Sequence, residues 1–190
     1  MDFSKFKTPD WLIIGGGIGI LIFGFFEWVT VSYQGVNLGG GGNVFDFFWT
    51  GTIPWILLIA SAVVTFLLVQ GTLKRDQLPW PLVLLAATAL AALLLLIRII
   101  FNPIEGSGAF GAEVGRGIGM ILSVIAGLVA VAGAFLNFQA SGGNIKDLTD
   151  VDKLKSSFSK GDGGNDAPPP PPPPAAPLQD PPAPPAPPAV

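Results

Sequence analysis

Four long apolar stretches dominate the chain before residue 140: Trp11 to Val31, Ile53 to Gln70, Trp80 to Phe101 and Gly117 to Phe138. Each is about 18 to 22 residues long, enough to cross a hydrocarbon layer about 30 Å thick at 1.5 Å per residue. Their interiors are Leu, Ile, Val, Ala, Gly and Phe without period-two alternation, which rejects a transmembrane barrel. Helices then remain as the way to satisfy the backbone in lipid, and the pattern predicts four transmembrane helices over 11–31, 53–70, 80–101 and 117–138. Pro54 and Pro81 fit first helical turns, Thr52 is a candidate cap for the second helix, and Asn102-Pro103 stops the third.

Polar positions between the stretches set an expected orientation. Lys5 and Lys7 precede the first helix, Lys74 and Arg75 separate the second from the third, and Lys146, Lys153, Lys155 and Lys160 follow the fourth. The opposite side carries only Arg98 and Arg116, so both termini are expected in the cytosol. Aromatic residues agree with these levels: Trp11 and Trp80 fall at inner ends, and Trp28, Tyr33, Trp49 and Trp55 at or near outer ends. The first stretch exceeds an ordinary signal-peptide core and no small-x-small cleavage site follows Phe26, so it reads as an uncleaved anchor.

Beyond Phe138 the pattern changes. Gly142-Gly143-Asn144 breaks the helix, and residues 139–166 form a polar linker. Within it Leu148, Val151, Leu154 and Phe158 recur at helical spacing, either a short amphipathic helix on the inner headgroups or a solvated, partly helical segment. Residues 167–190 hold fourteen of the chain's 19 prolines, including an unbroken run from Pro168 to Pro174. No core forms from such a sequence, and the run is expected to extend as a polyproline II arm of roughly 22 Å in a disordered tail. The expected fold is thus an all-α bundle of four transmembrane helices, both termini inside, with a disordered Pro-rich tail.

Composition narrows the chemistry. At 190 residues the chain is 50% hydrophobic and 12% charged, against about 25% charged in ordinary soluble domains. With no histidine and no cysteine, it lacks imidazole and thiolate metal sites, disulfides, and Cys-His or Ser-His nucleophile pairs. Gly15-Gly16-Gly17-Ile18-Gly19-Ile20 resembles part of a dinucleotide fingerprint, but Ile20 occupies the third glycine position and no strand ending in an acid follows. No cofactor or metal is expected, and no catalytic set stands out; Asp46 and Glu113 are carboxylates whose spacing singles out nothing.

Three groups of residues are candidates for specific roles. Gly15 and Gly19, and again Gly115, Gly119, Ser123 and Gly127 with an alanine stripe at Ala126, Ala130 and Ala134, present small faces for close helix packing, within the chain or between copies. Glu27 and Arg98 are the ionisable residues inside the expected spans. Counted along helices they lie roughly 6 Å and 4 to 5 Å from the outer ends, which suggests an intramembrane ion pair. Phe45, Phe47, Phe48 and Trp49, around Asp46 and after the glycines 39–42, form an aromatic loop expected to dip into outer headgroups or to cover the bundle's outer mouth.

Asn43-Val44-Phe45-Asp46 with Pro54-Trp55, Leu96-Ile97-Arg98-Ile99-Ile100-Phe101-Asn102-Pro103, and Gly115-Arg116-Gly117-Ile118-Gly119 leading to Val131-Ala132-Gly133-Ala134-Phe135 carry a resemblance. Over about residues 10 to 138 the chain resembles small, uncharacterised four-helix membrane proteins of actinobacteria that join such a core to a Pro-rich cytosolic extension. That resemblance implies a bacterial plasma-membrane location and supplies no activity.

The leading functional expectation is a non-enzymatic membrane scaffold or accessory subunit. Membrane lipids surround it, and the Pro-rich tail either recruits a cytosolic protein through an aromatic-lined groove or serves as a spacer. The alternative is a transport or permeation component assembled as a homo-oligomer. An integral-membrane enzyme ranks third, and no nucleic-acid partner is expected.

Overall fold

The computed structural model describes residues 3–74, 78–101, 112–144, 150, 152, 155 and 156. The Pro-rich tail, most of the expected amphipathic stretch, and the loop positions Arg75, Asn102, Pro103 and Glu105 lie outside the described residues. The described chain is mostly helical, with four helices: α1 (Thr8–Phe23), α2 (Ile53–Gln70), α3 (Trp80–Ile100) and α4 (Ile118–Ala140). Three of these, with α2 extended back to Phe48, are long and apolar enough to cross a membrane; α1, at 16 residues, is the shorter apolar helix.

The helices form a closed antiparallel ring in which α1 packs on α2 and α4, and α3 packs on the same two. Small residues set the spacing. A Cβ on Gly16 would lie 2.6 Å from both the Ala126 carbonyl oxygen and the Ala130 methyl, and one on Gly133 would lie 2.8 Å from the Pro9 carbonyl oxygen. The two backbones therefore touch directly along α1 and α4. Ile20, Leu58, Ala91, Leu95, Met120 and Ala130, all fully buried, fill the centre of the ring. Ser61, Thr65 and Thr88 are buried too, each donating its hydroxyl to a carbonyl four residues back, at 2.7 to 2.8 Å, so their polarity is satisfied within one helix.

A small sheet departs from the all-α expectation. Strands β1 (Val29–Tyr33), β2 (Val36–Gly41) and β3 (Ala112–Arg116) pair antiparallel in the order β2-β1-β3. The first apolar stretch thus does not stay helical to Val31. Its helix ends at Phe23, where Gly24 lies against the Trp55 ring, and Val29-Thr30-Val31-Ser32-Tyr33 is an alternating run rich in β-branched residues. Gln34 (φ 50°) and Gly35 (φ 78°) then make a two-residue turn with both central residues left-handed, the type I′ geometry that matches strand twist. Leu38 is the extra residue at a bulge where the register passes from Val31↔Gly39 to Ser32↔Asn37.

The sheet is bonded to the bundle at one end. Trp28 donates its backbone N–H to Gly42 O, and Gly117 donates to Trp28 O (2.9 Å). Gly119 donates to Glu27 O at 3.0 Å, which satisfies an otherwise free N–H in the first turn of α4. Gly115 accordingly belongs to β3, opposite Thr30, and not to the α4 packing stripe. Thr52 does not cap α2 either: it is helical, at the end of a wide turn over Phe48–Thr52, and its hydroxyl donates to Val44 O at 3.3 Å.

Candidate functional site

The two ends of the ring differ in chemistry. At the sheet end, Trp28 is fully buried and stacks on Phe47, with centroids 6.3 Å apart and planes inclined by 18°. Arg98, on the last turn of α3, lays its guanidinium over the other partner in this stack, 3.8 Å from the Phe47 centroid. The Arg98 side chain is only 3% exposed, and its Nε and Nη2 have no hydrogen-bond partner. The ring face of Phe47 is its electrostatic counterpart, an arrangement suited to guanidinium because that ion is planar and weakly hydrated.

Glu27 is elsewhere. Because α1 stops at Phe23, Glu27 sits in the turn before β1, exposed, with its carboxyl group against Gly40 of β2. No salt bridge joins it to Arg98 among the described residues. The depth match held only for a helix continuing to Val31. Arg116, the other cation at this end, donates from Nε to Ile99 O at 2.8 Å and so ties β3 to a terminal carbonyl of α3.

The aromatic loop is an ordered cap. Asn43 Oδ1 accepts from Phe45 N at 2.9 Å while Asn43 N donates to Asp46 Oδ2 at 2.7 Å, a reciprocal pair that opens one short helical turn over Val44–Asp46. Phe45 meets Phe25 and Trp55 edge to face at 5.6 and 5.2 Å. The four loop aromatics therefore divide. Phe47 turns inward to Trp28 and Arg98, whereas Phe45, Phe48 and Trp49 remain exposed, Trp49 at 72%.

The glycine faces are partly as expected. Gly119 approaches Phe26 and Glu27, and Gly127 lies against Leu95 of α3. Gly19 faces the Ala126 methyl, with a Cβ there 3.0 Å away, but Gly15 has nothing within 4 Å; the tight contacts of α1 are made by Gly16 and Gly17. Ser123 is fully buried on α4, its hydroxyl without a hydrogen-bond partner.

The other end holds a feature that sequence reading did not find, a cavity of about 330 Å³ to which all four helices contribute. Lys5 and Lys7 stand at its rim, Thr65 and Leu84 lie deeper, and Asp10 and Asn137 face each other across α1 and α4. Asp10 is 8% exposed; Oδ2 accepts from Lys7 N (2.9 Å) and Oδ1 from Asn137 Nδ2 (3.4 Å). Beside it Phe6 packs between Trp11 and Phe66, centroids 5.3 and 5.9 Å away, holding the N-terminal segment against the bundle. Among the described residues no group of three or more acidic side chains is arranged to hold a metal ion.

Comparison of the chain with family models, with curated proteins and with solved structures gives no match.

Proposed function

We propose that the chain is a multi-pass membrane protein, both termini cytosolic, that serves as a non-enzymatic scaffold or accessory subunit and recruits a partner through its Pro-rich tail. The observation that carries the anchoring part is the distribution of apolar surface. Ile18, Ile22, Val63, Leu93 and Ile125 are each about half exposed around the flanks of the ring, while its centre is closed by Leu58, Leu95 and Met120. Such a surface suits lipid as the surrounding medium. In this reading α1 crosses with the three longer helices, although at 16 residues it is the shortest span.

Charge supports the orientation. Lys5, Lys7 and Lys74 share the cavity end of the ring, and the aromatic cap occupies the opposite end. A closed centre favours an anchor over a conduit through one chain. Contact between copies through glycine faces loses support as well, because Gly16, Gly119, Gly127 and Gly133 are occupied by helices and turns of the same chain.

The test removes the arm at the natural end of α4. That helix closes at Ala140, with Gly142 left-handed (φ 87°), so truncation after Gly143 leaves the bundle intact. Truncated protein is expected to insert normally while losing the cytosolic partner that full-length protein captures after in-cell crosslinking. Equal capture by both forms would remove the tail from the mechanism.

A further inference from the structure

We propose that the cavity at the lysine end binds the headgroup of a monoanionic, hydroxyl-bearing phospholipid of the phosphatidylglycerol type. At about 330 Å³ it lies at the small end of ligand sites, and residues of all four helices line it together with Lys5, Lys7 and Ser141. Among the described residues its charged side chains are Lys5, Lys7 and Asp10, which together leave one positive charge. A phosphodiester carries one negative charge, so a single lipid of this class neutralises the site.

Position assigns the parts. Lys5 and Lys7 are exposed at the rim, where their ammonium groups can reach phosphate oxygens as point charges. Asp10 is more than nine-tenths buried below them, with one hydrogen bond on each carboxylate oxygen, and a carboxylate accepts about four. Its remaining lone pairs call for a donor, which a glycerol headgroup supplies and a phosphocholine does not. The wall formed by Leu68, Val69, Pro81 and Leu84 is apolar and belongs to α2 and α3, both long enough to span a bilayer. Acyl chains leave along that wall, which favours a lipid over a free phosphate ester. The assignment rests on the membrane reading above and adds a ligand to it.

The measurement is native mass spectrometry of the full-length protein, purified in detergent and presented with equimolar phosphatidylglycerol, phosphatidylethanolamine and phosphatidylcholine. Phosphatidylglycerol is expected as the dominant adduct. Lys5→Gln and Lys7→Gln should each lower its retention about fivefold. Both side chains are exposed, so folding is unaffected. Lys74→Gln removes the same charge at the same end, outside the cavity, and should change nothing. Equal retention of the three lipids, an equal loss in the Lys74→Gln variant, or preference for phosphatidylethanolamine overturns the assignment. Binding of soluble glycerophosphoglycerol as tight as that of the lipid overturns it in favour of a water-soluble phosphodiester. Failure of the membrane reading itself shows separately, as release of the protein from membranes by alkaline carbonate.

Discussion

Arg98 shows how one side chain can reconcile a charge with an apolar end of a helix bundle. Its attraction to the Phe47 ring in a site shielded from water is worth about 2 kcal/mol, and the same ring stacks on Trp28. Phe47→Leu should therefore lower stability by about 2 kcal/mol, read as the thermal transition of detergent-purified protein, while Phe47→Tyr retains most of it. Glu27→Gln should stay within about 0.5 kcal/mol, and a double-mutant cycle between positions 27 and 98 should give a coupling near zero. A coupling above about 1 kcal/mol would mean that the two charges do pair. Glycine positions offer a second contrast. Gly16→Ala drives a methyl into the α4 backbone and is expected to destabilise the bundle, whereas Gly15→Ala meets open space and should gain up to about 1 kcal/mol from helix propensity.

Among the elements, the sheet makes the sharpest prediction. Val31 and Val114 are register partners across β1 and β3, and the chain has no cysteine of its own. Val31→Cys with Val114→Cys should crosslink on mild oxidation; moving one cysteine by a single residue, to Glu113, should not, because that side chain points to the opposite face. Failure of the first pair to crosslink would remove the sheet. Helices α2, α3 and α4 were legible because unbroken apolar runs bounded by Pro and Gly leave no competing assignment. Strand β1 was not, because Gly24, Phe25, Phe26 and Trp28 carry the apolar run of α1 on into its valines, with Glu27 as the one polar residue between them. The signals that could have found it were present: alternation over Val29-Thr30-Val31-Ser32-Tyr33, then Gln34-Gly35 before Val36. Placing Glu27 on a helix followed from that omission, and so did the expected ion pair. The cavity was out of reach for another reason. Asp10 and Asn137 are 127 positions apart and meet only because α1 and α4 lie antiparallel, a pairing that no local pattern encodes.

For the whole molecule, insertion and orientation are checked by two measurements. Reporter fusions at either terminus should be active only on the cytosolic side, and alkaline carbonate should leave the protein in the pellet. Activity of either fusion on the outside would invert or dismantle the arrangement. The resemblance to four-helix actinobacterial membrane proteins offered no hint of the capping sheet.

Unequal helix lengths have a mechanical effect on whatever bilayer holds the ring. Sixteen residues of α1 extend about 24 Å, against about 34 Å for the 23 residues of α4, so with all four helices crossing as proposed one side of the molecule would be shorter than the acyl layer beside it. Lipids next to that side must shorten or tilt, at a fraction of a kcal/mol per ångström of mismatch. A ring embedded as proposed would act as a wedge that dimples one flank, and in a membrane of mixed thickness it should collect where the leaflet chains are short.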